Sequence, residues 1–127
     1  MAASKRRSPS RPQGYLDFIE LSEEQRRQVA EIRRVFLPRV AALRTQLRAL
    51  RSELVEQLFA APTKRARAKA TVVRISRLQQ ELELEVLDHI LQEKELLTSS
   101  QQRQFREVIA QQFQDGGLGI HDARAAR

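Results

Sequence analysis

Two pentapeptides of one pattern, Leu-[Ser/Thr]-x-x-Gln, constrain the fold more than any other feature of this chain. Ser22 and Thr98 are good helix N-caps, because their hydroxyls accept from the unpaired N–H groups of a first helical turn. Gln25 and Gln101 can reach back to the N–H of their cap residue, which completes a capping box. Each pentapeptide therefore predicts the start of a helix, and the residues concerned are Leu21, Ser22, Gln25, Leu97, Thr98 and Gln101.

The spacing of apolar residues places four helices. The first is predicted over 23–37, since Pro38 disfavours helical geometry in the residue before it. The second covers 39–60, and Pro62 then indicates a tight reversal. The third covers 64–96 and the fourth follows Thr98. The second and third helices carry near-heptad aliphatic seams, which are Val40, Leu43, Leu47, Leu50, Leu54 and Leu58, then Ile75, Leu78, Leu82, Val86, Ile90 and Leu97.

The short connection at Pro62 predicts an antiparallel pair of helices. The third helix is roughly 50 Å long and the second about 33 Å, so the end of the longer one overhangs. Leu84, Leu87 and Leu91 form a second apolar line on that overhang. Soluble monomers seldom leave such a patch exposed, so we expect a homodimer.

Composition agrees with an all-α fold and limits its core. The chain has 41% hydrophobic residues but only five Phe, one Tyr, no Trp and no Cys. Long helices that share aliphatic seams fit this composition better than a thick globular core, and the absence of Cys excludes disulfides and thiol chemistry. We expect a disordered basic tail over 1–14, one helical domain over 15–114 and a flexible tail over 115–127.

Positive charge is concentrated in the middle of the chain. The net charge is +7, and residues 39–77 contain ten basic residues against Glu53 and Glu56. Pairing the hairpin about Pro62 sets Arg39 and Arg44 opposite the acidic residues of 81–88, so the basic residues nearer the turn are left for an anionic or amphipathic partner. The candidate partner-binding residues are Arg44, Arg48, Arg51, Lys64, Arg65, Arg67, Lys69, Arg74 and Arg77.

Over about residues 15–113, the order of helices and the two Leu-[Ser/Thr]-x-x-Gln motifs resemble the Spy/CpxP family and its periplasmic heavy-metal-resistance relatives such as CnrX and ZraP. The resemblance implies a bent antiparallel helical hairpin with short flanking helices that dimerises into a shallow cradle. It also implies a periplasmic location, although the chain as given shows neither a signal peptide nor a transmembrane segment. Whether a membrane anchor belongs to the native full-length form stays open.

The family has two functional branches. Spy-like members are ATP-independent chaperones or stress regulators, which hold protein clients or a signalling protein on a basic face. CnrX-like members are metal sensors with His, Glu and Met ligands. Here His89 and Glu93 are spaced i, i+4 and are weak candidates for a metal site, but the first helix has no His and Met1 is the one Met. A lone pair of this kind is typical of an exposed helix surface, so no metal or other cofactor is predicted.

The remaining classes of function fit less well. No Gly-rich phosphate loop or nucleophile–base constellation is visible, so an enzyme is not predicted. A pI of about 10.9 would suit a nucleic acid, which stays an alternative, although no recognisable DNA-reading motif is present. The sequence therefore favours a non-enzymatic binding protein for partly unfolded or amphipathic proteins, with a heavy-metal sensor as the first alternative.

Overall fold

The computed structural model describes residues 14–115, which are all-helical, with 84% of them in helices. A 3-10 helix, Tyr15–Phe18, precedes three α-helices: α1 (Glu23–Leu58), α2 (Arg65–Lys94) and α3 (Ser99–Gln114). Apart from Gly14 and Asp115, the predicted tails lie outside the described residues. The all-α prediction is confirmed.

Helices α1 and α2 form the hairpin that the seams predicted. Most seam residues are buried where the two helices meet, and the half-buried Ile75 and Leu78 pack against them. The core of the hairpin consists of Val29, Phe36, Val40, Leu43 and Leu47 from α1 with Leu82, Val86 and Ile90 from α2.

The predicted helix break at Pro38 is wrong, because α1 continues through this residue to Leu58. Proline inside a helix removes one backbone hydrogen bond and crowds the preceding turn. Here Phe36 and Val40, on either side of it, are both buried against α2. Burial of an apolar residue contributes about 1.5–3 kcal/mol, so packing on both sides offsets the local cost and keeps the helix continuous.

The continuous α1 also removes the predicted overhang. With 36 residues against 30, α1 is the longer helix, about 54 Å against about 45 Å. Its first half therefore runs beside the second half of α2. The residues of α2 that were expected to project into solvent have a neighbouring helix, and this changes the surroundings of His89 and Glu93.

Near the turn the apolar seam gives way to a polar contact. Leu58, predicted as the last seam residue, is about half exposed. Gln57 is buried in its place, and its side-chain carbonyl accepts a hydrogen bond of 2.8 Å from the hydroxyl of Thr71. The amide of Gln57 donates to Glu53 at 3.0 Å. The last turn of α1 is thus aligned with α2 by the hydrogen bond between Gln57 and Thr71.

The opposite end of the hairpin is closed by the two short elements. Tyr15 and Leu16 of the 3-10 helix are buried, and so is Phe105 of α3. Leu97, predicted as part of the third helix, lies in the buried connection between α2 and α3. This packing brings the starts of α1 and α3 together.

Candidate functional site

The two Leu-[Ser/Thr]-x-x-Gln motifs meet in space. The hydroxyls of Ser22 and Thr98 each accept a hydrogen bond from the backbone N–H of the Gln three residues later, and the side-chain carbonyl of each Gln accepts one from the N–H of the cap residue. The side-chain amide of Gln25 also donates to the carbonyl oxygen of Gln101 at 2.7 Å. Both capping boxes therefore form as predicted, and an amide pair joins them.

The same amides also bind the backbone of the opposite segment. Nε2 of Gln25 donates to the carbonyl of Leu96 at 2.9 Å, and Nε2 of Gln101 donates to the carbonyl of Glu20 at 2.9 Å. Each Gln thus caps its own helix and fastens the chain that leads into the other helix. The motif pair stabilises the junction of three helices.

A buried charged cluster lies next to this junction. The Glu93 carboxylate has no solvent exposure, and Nε2 of His89 lies 3.0 Å from its Oε2. Nε of Arg33, in α1, lies 3.7 Å from the same oxygen, and its Nη2 donates to Asp17 Oδ1 at 3.1 Å. Since a buried carboxylate needs a compensating charge, Arg33 is the group that makes Glu93 tolerable there. We call Asp17, Arg33, His89 and Glu93 the buried charge cluster.

Two further contacts hold the buried charge cluster in place. The His89 ring stacks on Phe36 with centroids 3.8 Å apart and planes at 9°. Gly14 leaves room for the guanidinium, because a Cβ there would lie 2.8 Å from Arg33 Nη2. The backbone N–H of Gly14 donates to Asp17 Oδ2 at 3.1 Å. The cluster therefore links the 3-10 helix, α1 and α2.

The expectation that His89 and Glu93 form an exposed helix pair is wrong, since both are buried under α1. Their surroundings do not fit a divalent metal either. Arg33 already supplies a positive charge beside Glu93, and a metal ion would have to displace it. Within residues 14–115 no group of three or more His, Cys, Asp or Glu side chains is placed to hold a metal. His121 lies outside the described residues.

The nine predicted partner-binding residues divide between two flanks of the hairpin. In α1, Arg44, Arg48 and Arg51 follow one another at helical spacing on one flank, and we call these three the arginine face. Arg48 and Arg51 are exposed and Arg44 is half-buried. Arg48 makes a hydrogen bond of 3.3 Å to Thr45 on its own helix. The arginine face is thus accessible over the turn of α1 that carries Arg48 and Arg51.

Arg74 and Arg77 lie on the other flank. They line a groove of about 420 Å³ together with Ala49 and Glu53 of α1. Glu53 is two residues from Arg51, about 200° around the helix, which places this groove away from the arginine face. Of the remaining basic residues, Lys64 is the N-cap of α2, and Arg65, Arg67 and Lys69 lie exposed in its first turns.

Charge pairing between the helices is present farther from the turn. Arg39 Nη1 lies 3.6 Å from Glu85 Oε1, as the antiparallel register predicted. Exposed pairs of this kind contribute less than about 1 kcal/mol, so they indicate the register more than they stabilise it.

An apolar strip runs along the outside of α2. Leu84, Leu87 and Leu91 are each about half exposed, and their spacing puts them on one face. Beside them a groove of about 520 Å³ separates α2 from α3 and is lined by Ile90, Phe105 and Ile109 among other residues. Residues 14–115 of the single chain therefore leave the second apolar line of the sequence uncovered.

The sequence interpretation missed the buried charge cluster, although a signal for it exists. Arg33 stands four residues after Val29 and three before Phe36, which is a core position of α1. Glu93 stands three residues after Ile90, which is a core position of α2. Opposite charges at core positions of two facing helices indicate a buried ion pair. Because a helix break is expected at Pro38, the sequence does not place Arg33 opposite Glu93 of α2.

Comparison with known proteins agrees with the fold. A family model described as heavy-metal resistance matches residues 1–104. The chain belongs to this family. The family includes Spy/CpxP/ZraP-like periplasmic proteins, and it is a non-enzymatic resistance and stress family. Neither the curated proteins nor the solved structures gave a significant match to the chain.

Membership makes this a protein related to heavy-metal resistance, and the matched residues include both capping boxes and the whole hairpin. Among residues 14–115, no helix has the length and apolar character needed to cross a membrane.

Proposed function

We propose that this member of the heavy-metal resistance family is a non-enzymatic, periplasmic stress or resistance protein that binds partly unfolded or amphipathic proteins. The arginine face is the observation that carries the proposal. Arg48 and Arg51 are exposed in line, and the aliphatic side chains of Val55 and Leu58 continue the same face toward the turn. Such a face offers charge and apolar contact together.

Binding on this face is expected to be weak and fast. Exposed charges attract acidic segments at long range and are screened over about 8–10 Å at ordinary ionic strength. Arginine stems and neighbouring aliphatic side chains then provide contact without a defined pocket. Affinity should therefore fall as salt is added. This mode of binding requires no nucleotide or other cofactor.

We further propose that the protein acts as a homodimer. The strip of Leu84, Leu87 and Leu91, with the groove between α2 and α3, is an apolar surface that the described part of the chain leaves open. Burial against a second copy would remove it from water. Sedimentation equilibrium at micromolar concentration should give twice the monomer mass of 14.7 kDa. The monomer mass would contradict this proposal.

An aggregation assay with a reduced or heat-denatured client tests the main proposal. The test variant changes Arg44, Arg48 and Arg51 together to Glu. The two flanks supply a matched control, since changing Arg67, Arg74 and Arg77 to Glu alters the net charge equally without touching the arginine face. The wild type and the control should suppress aggregation, whereas the test variant should lose most of this activity.

Two outcomes would contradict the proposal. Equal loss in both variants would mean that net charge, and not the arginine face, holds the client. No suppression by the wild type, together with tight stoichiometric nickel, cobalt or zinc binding that needs His89, would favour the metal-sensor branch. Retention on DNA at low salt would not discriminate, because a chain this basic binds polyanions in general.

A further inference from the structure

The turn end of the hairpin has an apolar surface of its own. Val55, Leu58 and Val72 are each about half exposed, and Phe59 is 83% exposed. We call these four residues the tip patch. It is separate from the apolar strip on α2, which begins at Leu84, about 28 Å along α2 from the first residue of that helix, and lies toward the other end of the hairpin.

The tip patch lies on one flank. Glu53 and Arg74 line the groove of the opposite flank. Val55 follows Glu53 by two residues, and Val72 precedes Arg74 by two residues. A step of two residues turns the helix by about 200°. The two valines therefore share the flank of the arginine face, one from each helix. Leu58 follows Val55 by three residues and extends this surface to the turn.

Basic residues surround the tip patch. Arg65 and Lys69 precede Val72 by seven and three residues, so they share its face of α2, and both are exposed. Arg51 stands four residues before Val55 on α1. Residues 57–80 contain six basic and no acidic residues. Two acids lie close by: Glu53 is on the opposite flank, where it accepts a hydrogen bond from Gln57, and the exposed Glu56 stands three residues before Phe59.

We propose that the tip patch docks on an anionic lipid surface. An interfacial site needs apolar side chains that enter the boundary of headgroups and acyl chains, with basic residues around them to meet the headgroups. The apolar side chains are those of Phe59, Val55 and Leu58. The basic side chains are those of Arg65 and Lys69. The turn end of the hairpin would contact the membrane surface, and neither helix would cross the membrane.

A lipid surface fits the tip patch better than a protein partner does. Phe59 projects from a turn between two helices, and a projecting ring needs either a deformable surface or a matching pocket in a partner. The backbone N–H groups here offer no strand edge to a peptide, since Phe59 N–H donates to Val55 and Lys64 N–H donates to Gln57. The tip patch presents apolar side chains together with basic side chains, and a bilayer interface binds this combination.

Vesicle co-sedimentation of the full chain tests this inference. Vesicles of phosphatidylglycerol mixed with phosphatidylcholine are compared with vesicles of phosphatidylcholine alone. We expect binding to the anionic vesicles only. Phe59→Ser should weaken the partition coefficient about tenfold, since it removes one apolar side chain from the interface. Phe113→Ser is the matched control, because Phe113 is another exposed Phe, near the end of α3, and should have no effect.

A second pair of variants tests the charge. Changing Arg65 and Lys69 together to Glu should weaken binding by at least about tenfold. The matched change of Arg26 and Arg103 to Glu, both exposed residues at the other end of the hairpin, should change it by less than about threefold, because these residues are farther from the surface than a Debye length. Melting temperatures measured by circular dichroism confirm that each variant is folded.

Three results would overturn the inference. They are equal binding to neutral vesicles, equal loss in a test variant and its control, and loss of client suppression in Phe59→Ser with unchanged vesicle binding. The last would make the tip patch a protein-binding surface. The inference does not depend on the proposed function, since Phe59→Ser and the change of Arg65 and Lys69 leave Arg44, Arg48 and Arg51 of the arginine face in place.

Discussion

The two ends of the hairpin differ in what their side chains contact. At the end where α1 and α3 begin, two capping boxes, an amide pair and the buried charge cluster join four helical elements. At the turn end, Phe59 is 83% exposed and basic side chains surround it. The first end orders the chain, whereas the second presents charge and apolar surface to solvent.

The difference shows where substitutions should affect stability and where they should affect binding. Removing one partner of a buried ion pair costs several kcal/mol, whereas changing an exposed side chain usually costs less than about 0.5 kcal/mol. We therefore expect large losses of stability from changes at the first end and nearly none from changes to the exposed side chains at the turn. Four measurements test this contrast.

The largest effect is expected from Arg33→Met. This change leaves the Glu93 carboxylate buried without its cation, and we expect the free energy of unfolding to fall by about 3 kcal/mol or more in urea denaturation. Adding Glu93→Gln should recover much of the loss, since it removes the uncompensated charge. Arg26→Met, at an exposed position of the same helix, is the control and should change little. No recovery in the double variant would contradict the assigned pairing.

A smaller loss is expected from the amide pair. Gln25→Ala and Gln101→Ala should each lower the free energy of unfolding by about 1–2 kcal/mol, since each removes a capping bond and contacts to the opposite segment. The double variant should lose less than the sum of the two, because the residues share hydrogen bonds. Gln28→Ala, an exposed glutamine of α1, is the control. Additive losses would show that the pair is not coupled.

Phe59→Ser should change the free energy of unfolding by less than about 0.5 kcal/mol, because the ring makes little contact with the fold. Chemical denaturation gives this value for the same variant that is used with vesicles. A loss similar to that of Gln101→Ala would mean that the ring packs on the protein in solution, and would remove the contrast between the two ends.

The smallest effect is expected at an exposed ion pair. Arg34 donates a 2.7 Å hydrogen bond to Glu31 and adds a favourable charge, and together these lower the pKa of the Glu31 carboxyl. Arg34→Gln should raise that pKa toward its ordinary value, as measured by NMR titration. The pKa of Glu31 is lower in the folded state than in the unfolded state. The pair therefore stabilises the fold at pH values above the unfolded-state pKa, and this stabilisation is lost as the pH falls through the folded-state pKa. An unchanged Glu31 pKa would show that the pair does not form in solution.

Much of the fold could be predicted from the sequence because its signals are local. Ser22 and Thr98 cap helices through residues three positions away, and the leucines of α1 mark their own buried face. The nine candidate partner-binding residues stay a prediction. What the sequence pattern near Pro62 did not show is that Arg48 and Arg51 lie on one flank of the hairpin and Arg74 and Arg77 on the other.

The sequence by itself determined the helices, their caps, the reversal at Pro62 and the excess of positive charge around it, since each depends on neighbouring residues. Only the tertiary structure decided that α1 passes through Pro38, because burial of Phe36 and Val40 against α2 outweighs a local preference. That continuity buries His89 and Glu93 beneath Arg33. A pair that looks like an exposed metal-ligand candidate in the sequence is therefore part of the core, because residues some 60 positions apart in the chain meet there.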